Sequence, residues 1–572
     1  MSNVPEIDSG TLPSKQIQQS QGGSVMTIES NVTKEQVDYY TGLGFWDKWT
    51  FCDYIKRWAA TFPNKEALID PKQRLTWSQY GIMMDRMALN FLELGIKQGD
   101  LVVTQIPNCV EAIITELALA RIGACVVPLA MQWREHELNY VLGQTESPAV
   151  IVAKEYAKFN YVDMMKGLQS KHVNLKNIIA IGEDVPEGAV SYKKLWENKL
   201  EEKYAADYLD KNFKIDANDV LTMCYTSGTE ADPKGCPRTH NHWKVFVRSA
   251  FLHHLTENVH DKVVMALPWI NLFGQAVGVL SMAMVGGTLI LLDGFSPAAM
   301  AQTISKEKAT LYAGVPAMHI GLLNYPELDK YDISSLRVVA SGGAPCPTAV
   351  IKQIMEKFGC LVWNGFGSNE GHLNVTEVGL APELVSTTIG TPQLYSQTKI
   401  VDENGNVLGV GKVGEFCQKA PFIISGYYKR PDLNAQKWDK DGFYHTGDAC
   451  FLDEDGFYHF STRLKDIIIR GGMNISAEDV EFILYKNPKV QNVAVIGMPD
   501  AKLGEKCCAY IETKPGESIT LEDVQAFMEK EGVAKYKWPE RVETISQLPR
   551  TPTGKVLKYV LRDEIAKKMK AQ

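Results

Sequence analysis

The densest run of phosphate-competent residues is Tyr225-Thr226-Ser227-Gly228-Thr229-Glu230-Ala231-Asp232-Pro233-Lys234-Gly235, where three aliphatic hydroxyls, two glycines and a lysine fall within eleven positions. Glycine lets backbone approach an anion closely, hydroxyls and N–H groups donate to phosphate oxygens, and lysine supplies countercharge. The composition is that of a phosphate cradle, with an exposed Gly/Ser/Thr loop as the competing reading. A Walker A loop is excluded, because Pro233 stands where its second glycine belongs and Gly235 where its Ser/Thr belongs. Other reactive side chains are poorer in company. His240 and His242 have ligand-like alternate spacing, but no nearby Cys or carboxylate pair completes a zinc site, and His253-His254 is likewise unaccompanied. Cys507-Cys508 reads as two packed thiols, since a vicinal disulfide is strained. Asp453-Glu454-Asp455-Gly456 lacks the twelve-residue calcium pattern and reads as a hairpin tip.

The cradle must hang on a strand, and the apolar stretch Val220 to Cys224 before it reads as one. Similar runs at Leu101 to Gln105, Ala149 to Val152, Ile178 to Ile181, Thr288 to Leu292 and Val338 to Ala340 alternate with helical periodicity, as over Val110 to Ile122 and Thr348 to Phe358. Such alternation predicts βαβ units and an α/β fold with largely parallel sheets, over a large domain spanning 41–462. From Thr398 onward, turn signals at Asp402-Glu403-Asn404-Gly405, Asp441-Gly442 and Asp455-Gly456 predict a smaller antiparallel part. After Arg463-Leu464-Lys465-Asp466 a small α+β domain of about 110 residues follows (463–572), a size able to fold alone. It opens with a strand at Ile467 to Ile469, a flexible Gly471-Gly472 turn and a helix capped by Ser476, with Asp479 in a capping-box-like position. Residues 1–40 are expected as a flexible tail, rich in Gln, Ser and Gly over Pro13 to Ser24.

With 572 residues, 60 Lys+Arg against 68 Asp+Glu and a formal charge of -8, the chain is long enough for several cores and has no global basic footprint for nucleic acid. Eleven scattered cysteines without CxxC pairs, and no basic-then-apolar leader, point to a reducing, cytoplasmic location. No charge occurs between Lys262 and Asp293, but Pro268, Asn271, Gln275 and Gly286-Gly287 interrupt the stretch. Strand, loop, buried helix and strand therefore explain it better than a membrane span.

The cradle resembles the signature loop of the adenylate-forming superfamily: acyl-CoA synthetases, peptide-synthetase adenylation domains and luciferases. Five further segments match in order. Ser341-Gly342-Gly343-Ala344-Pro345 resembles the adenine-side loop, Asn364-Gly365-Phe366-Gly367-Ser368-Asn369-Glu370 the aromatic-glycine-Thr-Glu segment, and His445-Thr446-Gly447-Asp448 the ribose-binding turn. Arg463-Leu464-Lys465-Asp466 resembles the hinge and Pro549-Arg550-Thr551-Pro552-Thr553-Gly554-Lys555 the C-terminal lysine loop.

The resemblance implies an AMP-forming carboxylic acid:CoA ligase using ATP, Mg²⁺ and coenzyme A, with an acid-adenylating enzyme that loads a separate carrier protein as the alternative. It implies ATP/AMP contacts from Thr226, Ser227, Gly228, Lys234, Gly343, Ala344, Pro345, Asn364, Gly365, Phe366, Asn369, Asp448 and Arg463. Mg²⁺ falls to Glu370 and Thr229, the hinge to Lys465, and a CoA channel to Gly471 and Gly472. Lys555, with Glu370 and Thr229, carries the catalytic role. An acyl pocket is expected from Trp269, Asn271, Phe273, Gly274 and Gly367, taking an aromatic, alicyclic or medium-chain monocarboxylate. A homodimer is the expected assembly. Four positions depart from the family pattern: Glu230-Ala231 for Thr-Gly, Asn369 for Thr, and Asn271 where many members carry His.

Overall fold

The computed structural model describes residues 28–226, 233–470, 473–500, 502–550 and 556–571. Two mainly parallel sheets carry the body, nine-stranded and seven-stranded among the described residues. Strands Leu101–Gln105 and Ala149–Ala153 are buried at every position. Parallel strands covered on both faces read as continuous apolar runs, which is why these were legible. In the larger sheet, Leu311–Gly314, Val338–Gly342 and Leu361–Gly367 lie side by side and parallel, with Ser341 opposite Asn364 and Gly342 opposite Gly365. The edge then turns antiparallel through Leu373–Val375.

Helices Val110–Ala120 and His240–Val247 are buried almost all round. The first is mainly apolar, whereas the second buries His240, Asn241, His242 and Lys244, each with a hydrogen-bond partner: Phe51 N, Asp47 N, Thr239 N and the Asp47 carboxylate. The uncharged stretch forms the strand Lys262–Met265, a helical run from Leu272 to Val285 whose middle, Gln275–Leu280, is π-helical, and the strand Thr288–Leu291. Among the described residues no helix is long and apolar enough to cross a membrane.

One carboxyl is caught in this interior. Glu116 is fully buried and accepts from the Gln275 amide at 2.9 Å. Burial, the larger influence, pushes it up to about 8, against the pull of the Gln275 bond. A carboxyl raised on folding binds its proton more tightly in the native state. Its stabilising contribution is therefore complete below the unfolded value, near 4.5, and lost as pH rises through about 8. We expect Glu116→Gln to melt with the parent at pH 4 and above it at pH 9, by about 1–3 kcal/mol, as read from calorimetric scans at both pH values.

The antiparallel part comprises Gln397–Val401, Gly414–Lys419, Tyr444–Leu452 and Tyr458–Arg463 in that spatial order. Asp453 Oδ1 accepts from the N–H groups of Asp455 and Phe457 at 3.0 and 2.8 Å, making the expected hairpin tip. Beyond a 3₁₀ turn, Leu464–Asp466, the C-terminal segment has its own core around Ile468, Ile475, Val480, Leu484 and Val493. There Ser476 Oγ accepts from Asp479 N at 3.1 Å, but the Asp479 carboxylate reaches Lys537 at 3.3 Å instead of closing a capping box. The N-terminal tail also ends sooner than expected. Lys34–Gly42 is a helix with a Thr33–Gln36 capping box, and buried Tyr40 packs on Trp46 at 4.9 Å. This aromatic contact offers burial that offsets the entropy of ordering the segment.

Candidate active site

The cradle springs from an antiparallel pair, Val220–Tyr225 with Gly235–Thr239. Thr226 N donates to Lys234 O at 3.0 Å and Lys234 N to Thr226 Oγ1 at 3.3 Å, closing the neck. Ser227, Gly228 and Thr229 lie outside the described residues. The Lys234 ammonium stands over the Tyr427 ring, 5.2 Å from its centroid.

Gly343, Ala344 and Pro345 are exposed just beyond the carboxyl end of Val338–Gly342, the end at which open α/β sheets collect ligands. Gly343 has φ +80°, a conformation that favours glycine. One strand over, Asn364 is buried. Its Nδ2 donates to Val385 O at 3.3 Å, while Oδ1 has no partner. A buried acceptor without a donor costs about 1–3 kcal/mol, so this oxygen suits a donor on a bound molecule, such as an amino group on a base edge.

Glu370, His372, Asp448 and Arg463 converge nearby. Tyr427 OH donates to Glu370 Oε1 at 2.7 Å. Burial alone would raise the Glu370 carboxyl. Hydrogen bonds from Ser368 and Tyr427 and the Lys234 charge outweigh it and hold the group below the usual carboxylate range. Asp448 and Arg463 are direct cross-strand partners, with Nε to Oδ1 at 3.4 Å. His372 is fixed by Ser368 (Nδ1 to Oγ, 2.8 Å), stacks on Tyr444 and brings Nε2 to 3.7 Å from Asp448 Oδ2. Burial lowers its pKa despite the flanking carboxylates, so the ring is neutral. His372 and Tyr427 were missed from sequence, and buried Arg238 lies beside them. Arg238 donates to Phe422 O at 3.1 Å across 184 residues, a pairing that no local spacing announces.

Several expected site residues are engaged elsewhere. Trp269 has no exposed surface, and its indole N–H donates to Ile106 O at 3.0 Å, so it braces the core and does not line a pocket. The amide of Asn369 is committed at both ends, Oδ1 accepting from Leu272 N at 3.0 Å and Nδ2 donating to Tyr225 O at 3.3 Å. It ties the Leu272 turn to the cradle neck; the expected phosphate contact would require breaking a tie. Asn271 caps that turn, its Oδ1 accepting from Gly274 N at 3.0 Å. Gly365 and Gly367 are small for the protein's own packing: a Cβ would stand 2.5 Å from the Trp363 ring or 2.6 Å from His372 O. Phe366 turns toward the antiparallel sheet, 5.5 Å from Phe460. Phe273 alone of the pocket candidates is both aromatic and half-buried, stacked at 6.3 Å on Trp363.

Gly274 is likewise structural, since a Cβ there would lie 2.1 Å from the Pro268 carbonyl oxygen. Gly274→Ala must push the turn off that carbonyl, with an expected cost of about 1–3 kcal/mol, read as a lowered Tm together with reduced turnover.

Lys465 lies in the Leu464–Asp466 turn, and its side chain is outside the described residues, as are Gly471, Gly472 and Lys555. Around the Lys555 segment, Arg550 bridges to Val556 and Leu557 N donates to Pro549 O at 2.8 Å.

The α/β body agrees with comparison to known families. The AMP-binding enzyme model matches residues 55–428 and the AMP-binding enzyme C-terminal domain matches 479–555. The chain belongs to the AMP-binding enzyme family, within the adenylate-forming superfamily. Among individual relatives, the medium-chain fatty-acid–CoA ligase of Escherichia coli (strain K12) is 32% identical over 560 residues, 96% of this chain and 97% of that protein. The 2,3-dihydroxybenzoate-AMP ligase of Bacillus subtilis (strain 168) is 32% identical over 543 residues, 94% and 97%. The crystal structure of ATP-bound MatB from Rhodopseudomonas palustris superposes with a TM-score of 0.79 at 25% identity, covering 90% of this chain and 99% of that one.

Proposed function

We propose that the protein is an AMP-forming carboxylic acid:CoA ligase acting on an aromatic, alicyclic or medium-chain monocarboxylate. The observation that carries this reading is the pairing of an unpartnered buried acceptor, Asn364 Oδ1, with the Glu370–His372–Asp448–Arg463 cluster at the strand ends. Base, ribose and metal each find a suitable group there. In the first half-reaction a substrate carboxylate oxygen attacks the α-phosphorus of ATP, the bond to the β-phosphate breaks, and pyrophosphate leaves. In the second, the CoA thiol attacks the acyl carbon, its proton passes to solvent, and AMP departs.

Asn364 takes the adenine edge and Asp448 accepts from the ribose hydroxyls, with Arg463 beside it. Gly343, Ala344 and Pro345 flank the base. Thr226, Ser227, Gly228 and Lys234 bind the phosphates. A carboxylate kept anionic by its neighbours fits a hard cation, so Glu370, with Thr229, holds Mg²⁺, which supplies charge neutralisation at the phosphates. Lys555 neutralises the attacking carboxylate and α-phosphate. The small domain, taken as 463–572, then turns about Lys465 to bring Gly471 and Gly472 to a thiol channel. The acyl group lies against Phe273.

Similarity to the dihydroxybenzoate-AMP ligase favours one second reading, transfer of the acyl group to a carrier protein. Both make acyl-AMP, so pyrophosphate release with a panel of acids and ATP, without CoA, identifies the acid. Thioester on adding CoA supports the ligase; acyl-AMP that never yields thioester with CoA overturns it. A cytoplasmic homodimer completes the proposal, checked by fractionation and light scattering.

A further inference from the structure

The antiparallel sheet behind the Asp448 turn holds a second cluster that the proposed chemistry does not use. Cys417 and His445 are register partners across Gly414–Lys419 and Tyr444–Leu452, and the register slips between Glu415 and Cys417. Glu415 and Cys417, two residues apart on one strand, both reach the His445 imidazole. His445 Nδ1 lies 2.8 Å from Glu415 Oε2 and 3.4 Å from Cys417 Sγ, and one ligand atom from each residue lies within 4.8 Å of the other two. Bonds of ordinary length from one tetrahedral zinc to S, N and O place those atoms about 3.3–3.7 Å apart. The three atoms therefore reach that geometry by moving less than about 1 Å.

The other ring nitrogen supplies an independent sign. His445 Nε2 faces Asp439 Oδ2 at 3.7 Å, and Asp439 is itself held by Lys399 at 2.6 Å. A carboxylate on the far side of a ligating imidazole is the usual partner that fixes its tautomer.

We propose that Glu415, Cys417 and His445 form a binding site for a borderline-soft divalent cation of the zinc class, and that its occupancy loosens the turn carrying Asp448. The thiol proton and the Nδ1 proton leave to solvent as the metal enters, and the site differs in donor chemistry from the all-oxygen set suited to Mg²⁺. The coupling to the turn runs through the same carboxylate, since Glu415 Oε1 accepts from Gly447 N at 2.9 Å, next to Asp448. Drawing Glu415 onto a metal weakens that bond. The effect on ATP rests on the ligase reading; metal binding itself does not.

The test is titration of the chelator-treated full chain with Co²⁺, followed by its thiolate charge-transfer absorption in the near ultraviolet. One equivalent should produce the band, Zn²⁺ should abolish it, excess Mg²⁺ should not, and Cys417→Ser should lack it. Glu415→Gln, which keeps the thiol, should bind at least about tenfold more weakly. Circular dichroism checks that each variant is folded, and Glu415→Gln decides should Cys417→Ser fail to fold. Zn²⁺ should also raise the KM for ATP in the parent several-fold more than in Cys417→Ser. No band in the folded parent, a band that survives Cys417→Ser, or parent-like affinity in Glu415→Gln overturns the site. A band with unchanged KM for ATP overturns the coupling alone. Metal binding in a protein that forms no acyl-AMP leaves the site standing and refutes the ligase reading instead.

Discussion

Lys555→Ala should lower acid-dependent pyrophosphate release by about 10²–10³, while thioester formation from preformed acyl-AMP and CoA should stay within a few-fold of the parent. The asymmetry follows from where charge gathers. Attack of a carboxylate on an α-phosphate sets anion against anion, and the crowded phosphorus centre concentrates more charge on its oxygens. A fixed ammonium is worth most at that point and contributes little once the neutral thioester is being made. The measurement is single-turnover kinetics of each half-reaction. Equal losses in both halves, or none in the first, would refute the assigned role. Lys555→Arg is the informative companion: it keeps the charge but spreads it over a planar fork, so partial activity separates charge from geometry.

Glu370→Gln is the second large effect, with an expected loss of about 10² in adenylation and a roughly tenfold higher Mg²⁺ requirement. The amide keeps the shape and still accepts from Tyr427 OH, so packing is retained and the loss reports charge. Stability carries a separate signature. Ser368, Tyr427 and Lys234 depress the Glu370 pKa against the opposing effect of burial. A depressed carboxyl adds stability above its unfolded pKa and loses it as pH falls through the folded value. The parent should therefore melt above Glu370→Gln at pH 7, with the gap closing in acid. A gap that widens in acid, or an unchanged Mg²⁺ midpoint, would show that Glu370 serves structure and not the metal.

What proved legible depended on how far a residue's partners lie along the chain. The strand pair that carries the Thr226–Lys234 neck could be read because an apolar run ends directly at a segment of hydroxyls, glycines and a lysine. His372 adjoined a quoted segment yet passed unnoticed, because its relevance comes from Ser368, Tyr444 and Asp448 together. The pocket assignments for Trp269, Gly274 and Gly367 were the weakest. Aromatic or small character fits a ligand wall and a protein interior equally well, and the contact with Ile106, Pro268 or His372 decides between them.

From its order of residues alone this protein already specified its layered α/β architecture and its family. Strands covered on both faces must be continuously apolar, and loops that hold anions must be rich in glycine and donors. Only the tertiary structure decided which side chains are spent on holding the fold. Asn369 bridges Leu272 and Tyr225, Glu116 is sealed beside Gln275, and Asn364 keeps one oxygen unpaired. Hydrogen bonds saturate, so a polar group already satisfied by a distant part of the chain is not available to a ligand, and chain order does not reveal which groups those are.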